Sequence, residues 1–299
     1  VDSSFASDGV FVVDKPAGWT SHDVVARLRK IAGTKRVGHL GTLDPMATGV
    51  LPIVVNRATR LAQFYVKNEK VYEGVIRFGQ ATDTYDADGT PTGEPQPATL
   101  DAAALERLLD SFRGTFLQTP PPVSAKKIGG KKAYEFARQN VAVDLKPVEV
   151  TVFALDLLEL HGADALVRVH CSGGTYLRGI AHDLGIAAGC GAHLASLRRI
   201  ASGDFTLDTA HTLEQLAELA QQNRLSQALI PAANLLPTFP TEVVDSVTAT
   251  QIRQGRDFRV SPFKVRGPAP FVKAVSSDGQ LLAIGEARLP LIYHPKLVF

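Results

Sequence analysis

The chain has 299 residues, 32 Lys and Arg against 30 Asp and Glu, a net charge of +2, and two cysteines, Cys171 and Cys190, with no C-x-x-C pair. These numbers exclude a disulfide-stapled scaffold and a four-cysteine zinc site and suit a reducing cytoplasm; they also mean that a polyanion would have to be met by a local cluster of charge. No stretch reaches the roughly 18 to 20 apolar residues of a membrane span, the opening V-D-S-S-F-A-S-D-G lacks the basic segment of a signal peptide, and the length suits one large domain plus a small one.

Residues 9 to 19 read as a short apolar strand running into a turn at Pro16 and Gly18. Ser21 is placed to cap a helix with Val24, Val25, Leu28 and Ile31 on one face and Gly33 at its end. Arg27, Arg29, Lys30, Lys35 and Arg36 give this region a basic surface. Gly38 to Pro52, G-H-L-G-T-L-D-P-M-A-T-G-V-L-P, follows and holds a single carboxylate, Asp44. Pro45 biases Asp44 toward extended backbone, and Val50 to Val55 read as a buried strand, so one acid is presented from the lip of a sheet. Glycoside hydrolysis calls for two carboxyl groups and a metal site for more ligands than His39 and Asp44, whereas a lone carboxylate suffices as a covalent nucleophile. An isolated Asp-Pro pair would mark only a turn.

A helical segment after Arg57 and Arg60 leads to Lys70–Gly79, where Tyr72, Gly74, Ile76 and Phe78 alternate with Val71, Glu73, Val75 and Arg77 as in a strand with one apolar face. Thr82 to Gly89 carries three acids but fails the calcium-loop frame, since Asp88 stands where a glycine is needed; it reads as a polar surface loop. Leu100 to Phe112 reads as a helix. Residues 118 to 140 combine a proline-stiffened entry with Gly129-Gly130 flanked by Lys126, Lys127, Lys131 and Lys132, which by themselves read as a solvated, mobile loop. Pro147–Leu160 and Ala165–Cys171 form a hairpin pattern, and Cys171 to Gly185 turns into a helix on which Arg178 would ordinarily be a surface charge. His193 is assigned to structure. Thr212-Leu213-Glu214-Gln215 is a capping box for a helix to about Ala220. The pattern changes near Leu235–Pro240; the tail that follows has a helix at Thr248–Arg253, strands near Phe271–Val275 and Leu281–Glu286, and a basic set of Arg253, Arg256, Arg259, Lys264, Arg266 and Lys273.

The fifteen residues from Gly38 to Pro52 resemble the signature of the TruB-type pseudouridine synthases throughout. D-K-P-A-G-W-T-S at 14–21, P-P-V-S-A-K-K at 121–127, C-S-G-G-T-Y-L-R at 171–178 and A-H-L-A-S-L-R-R at 192–199 resemble further motifs of that family. The resemblance implies an α/β (α+β) fold with a mixed, mostly antiparallel central sheet flanked by helices. Residues 1–236 would be catalytic, with an RNA-clamp insertion at about 118–140, and 237–299 a PUA-like RNA-binding domain, the latter resting on L-L-A-I-G-E at 281–286. It implies isomerisation of uridine 55 in the tRNA T-loop to pseudouridine, with a further role in tRNA folding. Asp44 would be the nucleophile, oriented by Arg178, which would also depress its pKa. Tyr72, Tyr176 and Leu197 would line the uracil pocket, with Tyr72 able to help move the C5 proton. His39 and the four clamp lysines would contact RNA, Arg198 and Arg199 would support the pocket or reach phosphate, and Lys15 and Pro16 would brace the loop. No cofactor or metal is implied, the partner is tRNA, and a monomer is expected. Two rival readings, a non-catalytic RNA-binding protein and a nucleosidase acting on free nucleosides, fit these motifs less well.

Overall fold

The computed structural model describes residues 5–121, 127–128, 131–132, 145–265, 267 and 269–299. Its central element is a mixed sheet built on eight principal strands: β1 (Gly9–Lys15), β2 (Thr48–Val55), β3 (Lys70–Phe78), β4 (Gly114–Gln118), β5 (Val148–His161), β6 (Asp164–Cys171), β7 (Ala192–Ser202) and β8 (Leu229–Pro231). Their spatial order is β8-β1-β2-β7-β3-β6-β5-β4, with Val37–His39 and Phe205–Thr206 pairing beside β2 and β7. All pairings are antiparallel except β2 with β7, where Thr48 and Gly49 run parallel to Arg198 and Arg199. The expected mixed, mostly antiparallel architecture is therefore present. Its middle strand, β7, was not anticipated: register shifts between Leu194 and Ser196 and between Arg199 and Ala201 break the two-residue period that marks a strand in sequence.

β1 and β2 read as continuous apolar runs because both faces are covered. Phe11, Val13, Leu51, Ile53 and Val55 face a core shared with Val24, Val25 and Leu28 of helix α1 (Ser21–Ala32), Leu105 and Leu109 of α2 (Ala102–Asp110), Ile180 and Leu184 of α3 (Leu177–Ala187), and Leu213 and Leu216 of α4 (Leu213–Gln221). Val10, Val12, Val50 and Val54 face the other way, onto Leu61, Tyr65 and residues of the C-terminal sheet. The cap of α1 is Thr20 rather than Ser21: its side chain accepts from Asp23 N, and the Asp23 carboxylate accepts from Thr20 N at 2.9 Å. That shift frees Ser21 to point inward. The segment after β2, Asn56–Phe64, is a 3₁₀ run, not an α-helix. The capping box at Thr212 and Gln215 forms as expected.

The C-terminal sheet comprises β9 (Thr241–Val244), β10 (Phe258–Arg259), β11 (Phe271–Ser276), β12 (Leu281–Leu289) and β13 (Ile292–Val298), in the order β9-β11-β12-β13-β10, with helix α5 (Ser246–Arg253) against it. Val275, Leu281, Ile284 and Leu297 pack on the outer face of β1 and β2. The approach to this sheet is tied down: Leu236 N donates to Tyr65 Oη at 2.9 Å, and Lys273 Nζ donates to the carbonyls of Ala233 and Leu235 at 2.9 and 2.8 Å. Lys273 is thus buried and satisfied by backbone, so it leaves the basic surface expected of the tail. Arg253, Arg256, Arg259 and Lys264 are exposed, and Arg266 lies outside the described residues.

Candidate active site

Asp44 sits in a loop between Val37–His39 and β2 that is anchored on both sides of the acid. The Ser21 hydroxyl accepts from Leu43 N at 2.9 Å and donates to Leu43 O at 3.1 Å. On the other side, the Pro45 carbonyl accepts from Gly18 N at 2.9 Å and from Lys15 Nζ at 3.1 Å. Lys15 is fully buried and also donates to the carbonyls of Pro16 and Trp19 at 2.9 and 2.6 Å. The D-K-P-A-G-W-T-S motif therefore grips the loop through backbone atoms, and the Ser21 grip was invisible while that residue was read as a cap. From below, the fully buried Arg199 donates to Val50 O at 2.7 Å, Gly41 O at 3.1 Å and Thr42 O at 3.4 Å. It supports the loop instead of reaching outward; Arg198 pairs with Asp14 at 2.8 Å. Gly49 permits this closeness: its φ is 98°, and a Cβ there would fall 2.2 Å from Arg199 O.

Arg178 enters from the first turn of α3, and its Nε lies 3.2 Å from Asp44 Oδ2. The Arg178 side chain is 6% exposed and the Asp44 side chain 38%, so a buried cation holds one edge of a carboxylate that remains open to the cavity. Behind Arg178 stands Asp86, with Oδ2 3.6 Å from Nη1, and Thr84 O accepts from the same Nη1 at 3.2 Å. The acidic segment is therefore not a plain surface loop. Tyr85 adopts φ 69° and stacks on His182 with ring centroids 3.7 Å apart. Leu194 N donates to Tyr85 O and Ala87 N to Leu194 O, each at 3.0 Å, docking the segment on β7 and turning Asp86 inward. Burial raises the pKa of Asp44 above the ordinary carboxylate value; Arg178 opposes that rise and Asp86 adds to it. The expected depression by Arg178 is thus outweighed by the loss of water around the acid.

A cavity of about 470 Å³ opens over Asp44 and is lined by His39, Tyr72, Tyr176, Arg178, Leu194 and Leu197 among others. Six residues expected at the site from distant parts of the chain, His39, Asp44, Tyr72, Tyr176, Arg178 and Leu197, thus share one pocket. Tyr72 faces inward from β3, and burial pushes its hydroxyl pKa up while Arg199 beside it works the other way. Tyr176 is placed by buried Gln118, whose amide accepts from Tyr176 N and donates to Tyr176 O, both at 2.9 Å. Its ring lies 5.9 Å from the Arg178 guanidinium. His39 meets His22 edge-on at 5.7 Å. His193 Nδ1 lies 2.7 Å from Gln80 O, in keeping with a structural role. Ser21, Asp86 and Gln118 are the contributors that sequence reasoning missed. Of the clamp lysines, Lys126 lies outside the described residues, while the backbones of Lys127–Ile128 and Lys131–Lys132 pair as two short antiparallel strands.

Residues 29–177 match the model of the TruB family pseudouridylate synthase N-terminal domain, and residues 178–237 that of the tRNA pseudouridylate synthase B C-terminal domain. The chain is 61% identical to tRNA pseudouridine synthase B of Solibacter usitatus over 97% of its own length and 99% of that protein's. It is 44% identical to the Thermobifida fusca protein of the same name, covering 94% of this chain and 95% of that one. Among solved structures, a Cbf5–Nop10–Gar1 complex contains a chain with TM-score 0.70 at 28% identity, covering 94% of this chain and 78% of that chain. An H/ACA RNP bound to a substrate RNA containing 2′-deoxyuridine matches with TM-score 0.72 at 24% identity, over 97% and 84% respectively, a likeness of fold.

Proposed function

The chain belongs to the TruB family of tRNA pseudouridine synthases, and from that premise we propose that it isomerises uridine 55 in the T-loop of tRNA, with Asp44 as the nucleophile. The observation that most supports this reading is the 3.2 Å pairing of Asp44 with Arg178 at the floor of a cavity flanked by Tyr72, Tyr176 and Leu197. In the reaction the N1–C1′ bond of uridine breaks, C5 bonds to C1′, C5 loses a proton and N1 gains one. The leaving base is also the incoming reactant, so it must be held while it rotates. Two phenol rings and a leucine supply flat, largely neutral walls for that. The target nucleotide must leave its stack to arrive there, at roughly a few kcal/mol, and Arg178 keeps the carboxylate aimed at it.

T-loop recognition is assigned to shape and phosphate contacts. His39 at the pocket mouth packs against the loop. The lysines of the 118–140 insertion close over the phosphates, and residues 237–299 serve as a PUA-like RNA-binding domain whose exposed Arg253, Arg256, Arg259 and Lys264 face RNA. The protein acts as a cytoplasmic monomer without a cofactor, and holding the T-loop open also assists tRNA folding. Incubation with unmodified tRNA followed by carbodiimide-dependent primer extension is expected to give one new stop, at position 55; a stop elsewhere, or none, refutes the assignment. Neutralising Lys126, Lys127, Lys131 and Lys132 together is expected to weaken tRNA binding and flatten its dependence on salt, by about 0.7 to 0.9 in log–log slope for each phosphate left without its lysine. An unchanged slope removes the clamp.

A further inference from the structure

One cation in the pocket has no part in the arrangement above. Lys70 opens β3 two residues before Tyr72, on the same buried face, and lines the cavity together with Asp44, Tyr72 and Leu197. It is 7% exposed. Its ammonium donates to Asn68 O at 2.5 Å, and among the described residues no carboxylate pairs with it. An ammonium carries three donors, so one acceptor leaves capacity for a ligand in the cavity. The titratable groups packed around it are Arg199 and the buried thiol of Cys171, and Arg199 likewise rests on backbone carbonyls rather than on an acid. Glycines keep the space clear: a Cβ at Gly173 would fall 3.1 Å from Lys70 Nζ, and one at Gly41 would fall 3.4 Å from its Cε.

Two neighbouring buried cations without a carboxylate are costly to keep folded. Such a pair is suited to a negative charge that appears during the reaction. We infer that the Lys70 ammonium is a further catalytic group, stabilising the uracil anion released when the glycosidic bond breaks. This rests on the uridine-isomerising function given above. Whichever atom Asp44 engages first, the electron pair of N1–C1′ departs with N1 and spreads onto O2 and O4 of the ring. C1′ receives a new pair from C5, and the C5 proton lost is balanced by the one N1 gains. A cation beside the ring favours that charged state over the neutral nucleotide, which lowers the barrier and not merely the binding energy. Burial and Arg199 push the Lys70 pKa down to about 8, so the ammonium loses its proton above that pH.

The test compares full-length wild type with Lys70→Met and Lys70→Arg in single-turnover reactions on transcribed tRNA carrying uridine or 5-fluorouridine at the target position. Detachment of the base is read as loss of the parent nucleoside from digests. Fluorine makes the departing ring a weaker base that depends less on a cation. Lys70→Met is expected to bind tRNA within about threefold of wild type but to react roughly 100-fold more slowly on uridine, and to lose about tenfold less on 5-fluorouridine. The wild-type rate should decline above about pH 8, while Lys70→Arg, which keeps a cation, should lose that decline. Equal losses on the two substrates, a loss confined to Kd as a phosphate contact would give, or a wild-type rate that rises through this range would each overturn the assignment. If Lys70→Met does not fold, the wild-type and Lys70→Arg profiles decide alone. Pseudouridine formation by wild type in the same assay checks the underlying function separately.

Discussion

Asp44→Asn is expected to abolish pseudouridine formation, by on the order of 10⁴-fold or more, while tRNA affinity stays within about threefold of wild type. The amide matches the carboxylate in size, and the loop holding it is fixed by backbone atoms of Leu43, Pro45, Gly41 and Thr42, none of which the substitution touches. The substitution removes the nucleophile and one of the two negative partners of Arg178, which keeps Asp86. Single-turnover rates and filter-binding affinities measured together check this; loss of binding in Asp44→Asn would show that the residue serves recognition. The wild-type rate carries its own signature. An acid with a raised pKa keeps its proton to a higher pH, so the ionised fraction of Asp44 is lost sooner as pH falls. The acid limb of the single-turnover profile should therefore lie above pH 3.8, the ordinary value for this side chain.

Arg178→Met is expected to do the second-greatest damage. Asp86 and Arg178 are both 6% exposed, and removing the cation strands a buried acid and leaves two carboxylates facing one another. Loss of one member of a buried pair costs about 3 to 5 kcal/mol of stability, and the reaction rate should fall by roughly 10³-fold. Because Arg178 holds the Asp44 pKa down against burial, the acid limb of the residual activity should shift to higher pH. The double variant Arg178→Met, Asp86→Asn separates the two effects. It should regain much of the lost stability, since the more deeply buried acid is neutralised and the carboxylate left without Arg178, Asp44, is open to the cavity, and none of the rate. Thermal melts and single-turnover rates on the three proteins decide; a double variant that recovers rate would mean that Arg178 acts only through folding.

What was legible in the sequence was what is local. The string around Asp44 encodes its own loop, β3 displays its buried face by alternation, and the Thr212 capping box is a four-residue feature. Arg178 was found through its motif, because a charge in the first turn of a helix says nothing about which way it points. Asp86 stayed hidden: its inward course depends on the left-handed backbone of Tyr85 and on docking against Leu194, more than a hundred residues further along the chain. Ser21 was misread for a related reason. Two adjacent hydroxyls competed for one cap, and Thr20 took it because Asp23 stands three residues on, which left Ser21 to the loop. Lys273 belongs to the basic set in sequence, and its burial depends on carbonyl partners in a segment about forty residues earlier, which no local pattern signals.

The position of β7 governs when this enzyme can exist. β2 and β3 are made early, yet the strand that joins them is Ala192–Ser202. Without that strand the edges of β2 and β3 that it joins would keep their N–H and C=O groups unmatched, a state exposed to wrong pairing. The same strand delivers Arg199 beneath the Asp44 loop, so a nascent chain halted before it carries the signature peptide without that support. Folding of the site is thereby tied to the synthesis of β7, and chaperone demand should peak in the interval between the emergence of β3 and that of β7.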